Sequence, residues 1–158
     1  MKFKQMKKIA FIVSGFLLIS CKGLHDKDRL TSDKFNHLLS TVAKGWEEGD
    51  SRMAADCFAE DAIYIEPPNQ QLYRGRNELF EFFGGEEGRS DPMNMTWHNI
   101  VFNEEDQVGM GEYTFGYRGR LTHGIVIVKV SAGKIWRWRE YQYRTEMEWT
   151  DFVGESVF

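Results

Sequence analysis

Histidine, cysteine and proline are scarce in this chain, and each shortage removes a class of function. The four histidines, His25, His37, His98 and His123, lie far apart with no ligand-like pairing, which argues against a metal site. No glycine loop of the phosphate-binding kind and no Ser-His-Asp constellation is present, and no cofactor is expected. Lys and Arg number 20 against 24 Asp and Glu, a net charge of −4, so a nucleic-acid partner is not expected. Long apolar runs are missing as well. The longest, residues 9–19, reads IAFIVSGFLLI, whereas spanning a bilayer as a helix takes about 20 apolar residues. What the chain has in quantity is aromatic surface, 15% of residues with five tryptophans.

The amino terminus carries the densest signal. Lys2, Lys4, Lys7 and Lys8 precede the short apolar run, which ends in Leu18-Ile19-Ser20-Cys21. A basic start, a short core and a small residue before a cysteine resemble the lipobox of bacterial lipoproteins. That resemblance implies cleavage before Cys21, lipid on its sulfur and acylation of the new amino group. Several acyl chains hold a soluble domain at a membrane, where one binds only marginally. The expectation is therefore a signal peptide over residues 1–20, a polar tether over 21–30, and one domain over 31–158 that faces the periplasm or cell surface. Removing residues 1–20 takes away four lysines and no acid, which moves the net charge from −4 to −8. With Cys21 lipidated, Cys57 has no disulfide partner and reads as a small core residue.

Along the domain, Phe35, Leu38, Leu39, Val42 and Trp46 recur at helical spacing behind Thr31 or Ser32 as a cap. A second, shorter helix starts at Asp50 or Ser51 and carries Met53, Ala54, Cys57 and Phe58. Residues 62–65 form a strand that stops at Pro67-Pro68, and 73–76 read as a turn. Asn77 caps a third helix, ended by Gly84-Gly85 and followed by a polar loop to Asn94. Four β-rich runs then occupy 95–102, 108–117, 121–130 and 134–144, with short turns that favour antiparallel neighbours. The tail from Thr145 is expected to pack over an opening.

This order, with Trp46-Glu47-Glu48-Gly49-Asp50, Phe58-Ala59-Glu60-Asp61-Ala62, Tyr73-Arg74-Gly75-Arg76 and the run from Gly133 to Tyr141, resembles the SnoaL-like group of the nuclear transport factor 2-like superfamily. The resemblance implies an α+β cone, in which a curved antiparallel sheet wraps around about three helices and leaves a pocket at the wide end. It also implies a homodimer through the outer sheet face. Activity does not follow from the fold, since the superfamily holds isomerases, hydrolases, dehydratases, cyclases and non-catalytic members.

Four residues are candidates for chemistry. Glu66 precedes a proline at the end of a strand opened by Asp61-Ala62, the position of the general base in ketosteroid isomerases. It reads more readily as a solvated strand-end acid beside a proline turn. Glu140 lies in Trp138-Arg139-Glu140-Tyr141, similar to a stretch of limonene epoxide hydrolases in which an acid activates water. Strand alternation puts Trp136, Trp138, Glu140 and Gln142 on one face. The arginine and aspartate those hydrolases also need correspond to Tyr113 and Phe115, so epoxide hydrolysis is not expected. The steroid isomerases' oxyanion acid is missing from the strand over 125–130, so steroid isomerisation is not expected either. His98 and His123 are acid–base candidates, but no acid is placed by sequence to orient either, and a lone strand histidine is more often structural. Glu112 reads as a pocket acid or, by preference, as a buried partner for Arg74 or an arginine of the last strand.

Tyr64, Trp97, Tyr113 and Trp138 are the expected ligand-binding walls. Three readings follow: a membrane-tethered pocket for a small apolar molecule, an acid–base enzyme of the same fold, and an interaction lipoprotein. Carboxylates and a histidine meeting in one pocket would favour the enzyme, and an apolar pocket with a single acid would favour binding.

Overall fold

The structure is a computed structural model that describes residues 28–156 and Phe158. The segment expected to be a signal peptide, Cys21 and most of the expected tether lie outside the described residues. In order, the elements are α1 (Ser32–Glu48), α2 (Ser51–Ala55), β1 (Phe58–Glu66), β2 (Gln71–Arg74), α3 (Gly75–Phe83), β3 (Asn94–Asn103), β4 (Val108–Tyr117), β5 (Arg120–Ser131), β6 (Lys134–Thr145) and α4 (Trp149–Val153). The six strands form one curved sheet in the order β2-β1-β6-β5-β4-β3. Helices α1, α2 and α3 fill its concave side.

Local chemistry sets the helix ends. Thr31 Oγ1 caps α1 by accepting from Lys34 N at 3.4 Å, and Gly49 closes it in the left-handed conformation, φ 71°. Asp50 caps α2, accepting from Met53 N at 2.8 Å. The apolar stripe of α1 buries Phe35, Leu39, Val42 and Trp46 against the sheet, and α3 adds Leu79, Phe80 and Phe83. At the centre, Trp138 is fully buried and makes ring contacts with Trp46, Phe58, Tyr64 and Trp97. Truncating such a residue to alanine costs about 3–5 kcal/mol. Cys57 is buried in this core, and burial pushes its thiol pKa up to about 11.

Five sequence expectations change. The sheet is mixed, because β1 runs parallel to β6 (Tyr64 opposite Trp138) while its other neighbours are antiparallel. Residues 71–74, read partly as a turn, pair with β1 as an edge strand. Phe58 begins β1 rather than ending a helix. The register shift between Lys129 and Val130 is a bulge in β6 that keeps Ile135 in the core and turns Trp136 outward, where its indole N–H donates to Asp61 at 3.0 Å. Finally, the tail does not cover an opening. It forms α4, a fourth helix, and lies on the outer face of the sheet, with Trp149 stacked 3.9 Å from His98 and Phe152 4.7 Å from His123.

Candidate functional site

Strand parity assembles the site. Ala62, Tyr64 and Glu66 are the buried residues of the last half of β1. Trp138, Glu140 and Gln142 occupy the same face of β6, and the parallel register sets Tyr64 beside Trp138, so Glu66 and Glu140 follow one step further. Tyr113 reaches across from β4 over Gly124 of β5. A Cβ on Gly124 would stand 2.6 Å from the Tyr113 hydroxyl, so only glycine leaves this path open.

Tyr64, Glu66, Tyr113, Glu140 and Gln142 border a cavity of about 310 Å³ between sheet and helices, at the small end of ligand-binding cavities. Its polar lining includes Glu66, Glu140, Tyr64, Tyr113, Asn69 and Gln142, with Arg89 and Arg120, and its apolar lining includes Phe82, Phe83, Met93, Met95 and Phe115. Both carboxylates are almost fully buried, Glu66 at 3% exposure and Glu140 at 4%.

Glu140 sits in a cage of donors. Tyr64 donates to its Oε1, while Tyr113 (3.2 Å) and the Trp138 indole N–H (3.1 Å) donate to Oε2. Hydrogen bonds to the ionised form lower a carboxyl pKa and burial raises it. Here desolvation wins, and the pKa is pushed up to about 7, with the Glu66 charge adding to the rise. Burial and the neighbouring Glu140 also hold the Tyr64 and Tyr113 phenols well above their ordinary range. Glu66 is held differently. Asn69 and Gln142 both donate to its Oε1, and among the described residues Oε2 has no side-chain donor. Burial raises its pKa, and the two amides act against that rise.

The other expected site residues lie elsewhere. Trp97 and Trp138 are not part of the cavity lining; they stand behind Tyr113 and Glu140, and Trp97 donates to the Leu39 carbonyl at 3.3 Å. His98 and His123 are on the opposite face of the sheet. There they bracket Thr114 Oγ1 at 2.7 and 2.9 Å under α4, and His123 Nε2 meets the Met147 carbonyl at 2.9 Å. Neither histidine can serve the cavity. Glu112 accepts from Asn99 at 2.7 Å rather than from an arginine. Sequence reasoning missed the Tyr64–Glu140–Tyr113 connection, the amides of Asn69 and Gln142 as partners of Glu66, and Trp46 and Arg89 in the lining. Only the parity of β6, which places Gln142 beside Glu140, offered a signal.

Residues 40–138 match the SnoaL-like domain. No curated protein matches this chain. Among solved structures, an NTF-2 like protein of unknown function from Burkholderia xenovorans is 20% identical, with a TM-score of 0.63 over 80% of this chain and 97% of that one. An LEH-like epoxide hydrolase from M. tuberculosis is 15% identical, with a TM-score of 0.58 over 70% and 84%. An epoxide hydrolase/cyclase-like enzyme with a role in pyran ring formation in the polyether salinomycin is 14% identical, with a TM-score of 0.57 over 70% and 92%. At these identities the likeness is one of fold.

Proposed function

We propose that this chain, which belongs to the SnoaL-like domain family, is an acid–base enzyme that shifts a proton on a small organic substrate. One observation carries the reading: a single cavity holds two buried carboxylates in opposed hydrogen-bonding environments. Pairs of acids whose surroundings separate their proton affinities divide into a base and a proton donor. Glu66, with two amide donors on one oxygen and no side-chain donor to the other among the described residues, is the base. Glu140, whose pKa is about 7, holds its own proton below neutrality and lies within hydrogen-bond reach of the hydroxyls of Tyr64 and Tyr113.

The chemistry suited to this pair is proton abstraction beside a carbonyl. Glu66 Oε2 takes the proton, and the C–H electron pair moves onto the carbonyl oxygen as an enolate. A phenol hydroxyl, backed by protonated Glu140, stabilises that oxygen. Return of the proton to a different carbon completes an isomerisation. The sequence expectation of a missing oxyanion acid looked for it on β5, and Glu140 of β6 supplies it. Tyr113 and Phe115 occupy the positions of the arginine and aspartate of the epoxide hydrolases, so the same reading leaves epoxide opening aside.

The anchor belongs to the proposal too. Lipid on Cys21 would hold the enzyme at a membrane outside the cytoplasm, resting on the sequence of residues 1–21. The phenylalanine and methionine walls also favour a second reading, retention of a small apolar molecule without turnover.

Deuterium exchange separates the two. A panel of cyclic ketones and enones in D2O is followed by proton NMR with the domain present and absent. Protein-dependent loss of α-proton signal is expected, slowed by about 10²–10⁴-fold in Glu66→Gln. Exchange at the buffer rate for the whole panel, or exchange unchanged in Glu66→Gln, would overturn the base assignment and leave the binding reading.

A further inference from the structure

The same cavity carries positive charge beside its carboxylates. Arg89 and Arg120 both line it, together with Tyr117. The structure gives four ion pairs among the described residues, and neither arginine is in any of them. By contrast Arg118, next to Tyr117 in the chain, is bound to Asp91 at 2.8 Å. Arg89 is held in place: its guanidinium stands 5.5 Å from the Phe82 ring centre and 5.6 Å from that of Tyr117, and it donates to the Phe82 carbonyl and, at 3.4 Å, to the Tyr117 hydroxyl. Its Nε is nevertheless buried with no acceptor. Arg120, opposite Tyr117 in the β4–β5 pairing, is exposed.

Two guanidiniums without a carboxylate partner among the described residues line this one cavity, and together they ask for negative charge. The protein's own acids do not meet that demand. Glu66 takes its donors from Asn69 and Gln142, and Glu140 from Tyr64, Tyr113 and Trp138.

We infer that the cavity takes an organic acid: a compact, largely apolar ligand whose carboxylate sits against Arg89 and Arg120 and whose far end reaches Glu66 and Glu140. The inference rests on the cavity being the ligand site and adds the charge class and the ligand's orientation. Charge of both signs fixes that orientation. An anion turned the other way would meet two buried carboxylates, so the acid group stays at the arginines and the apolar body lies along Phe82, Phe83 and Phe115. A planar guanidinium stacked on rings presents paired N–H groups to a carboxylate, which an ammonium cannot do. Ligands of this class are ring or chain acids bearing a ketone or enone some distance from the carboxylate.

The test uses an isosteric probe pair, 2-naphthoate and 2-naphthamide, titrated calorimetrically into the domain at low salt. The acid is expected to bind about tenfold more tightly than the amide. Arg120→Met, at an exposed residue with no ion pair among the described residues, should remove most of that preference by weakening the acid more than the amide. Arg89→Met should do the same; if loss of its bond to Phe82 unfolds the domain, Arg120→Met carries the test alone. An amide that binds as tightly as the acid, or a preference unchanged in both variants, would overturn the anion assignment while the cavity reading stands. Binding of neither probe would overturn both.

Discussion

Tyr64 and Glu140, 76 residues apart, are joined by a hydrogen bond from phenol to carboxylate inside the cavity. The bond exists because β1 runs parallel to β6 in a register that sets Tyr64 beside Trp138. Tyr113 makes the matching contact from the other side of the sheet's curve. A carboxyl caged this way is sensitive to each donor.

Each phenol favours ionised Glu140, so removing one raises its pKa further above 7. Tyr64→Phe and Tyr113→Phe are therefore expected to move the alkaline limb of the activity profile to higher pH and to lower the maximal rate. Carbon-13 NMR of labelled glutamate follows the titration directly. A Glu140 pKa that stays put or falls in both variants would show that the phenols do not set it.

Glu140 also links stability to pH. Its folded pKa of about 7 lies above the ordinary 4.5, so between these values the folded state binds more protons than the unfolded one. Stability is then greatest below about pH 4.5, as far as this group is concerned, and is lost as pH rises through 7; the full swing is about 3 kcal/mol. Urea midpoints at pH 5 and pH 8 should show the loss in wild type, and Glu140→Gln should flatten it. A variant with the wild-type slope would assign the effect to other groups.

Acid should loosen α4. Burial and the nearby His123 hold the His98 pKa below its ordinary 6.5, with Glu112 pulling the other way. Trp149 covers that ring, and His123 Nε2 binds the Met147 carbonyl. A lowered pKa means that α4 docked on the sheet favours neutral His98, so its docking weakens as pH falls through about 6.5. Hydrogen exchange of residues 147–153, corrected for intrinsic rates, should quicken between pH 7.5 and 5.5. Constant protection would mean that the helix is held by its aromatic contacts alone.

Cys21→Ala tests the anchor. Without the thiol no lipid can be attached, and the protein should leave the membrane fraction of its host and lose its acyl mass. Unchanged membrane association would count against the lipoprotein reading. A released domain with intact proton-exchange activity would show that the tether sets location alone.

The sequence determined much of this protein unaided, because local rules carried it. The 3.6-residue stripe from Phe35 to Trp46, the turn-bounded β runs and the proline stop after Glu66 predict α1, β3 to β6 and the end of β1. Period-two parity also put Trp138, Glu140 and Gln142 on one face and kept Glu66 and Glu140 in view as acids. Three things depended on contacts between distant segments. The bulge in β6 broke the parity that had placed Trp136 with Trp138, and the edge position of β2 exists only through its pairing with β1. The two histidines fell on the far face, under a helix too short to announce itself. Whether a carboxyl holds its proton near neutrality is a question of burial and donor count. Glu66 and Glu140 are the same residue type in similar strand positions; the tertiary structure alone gave one of them two amides on a single oxygen and surrounded the other with two phenols and an indole.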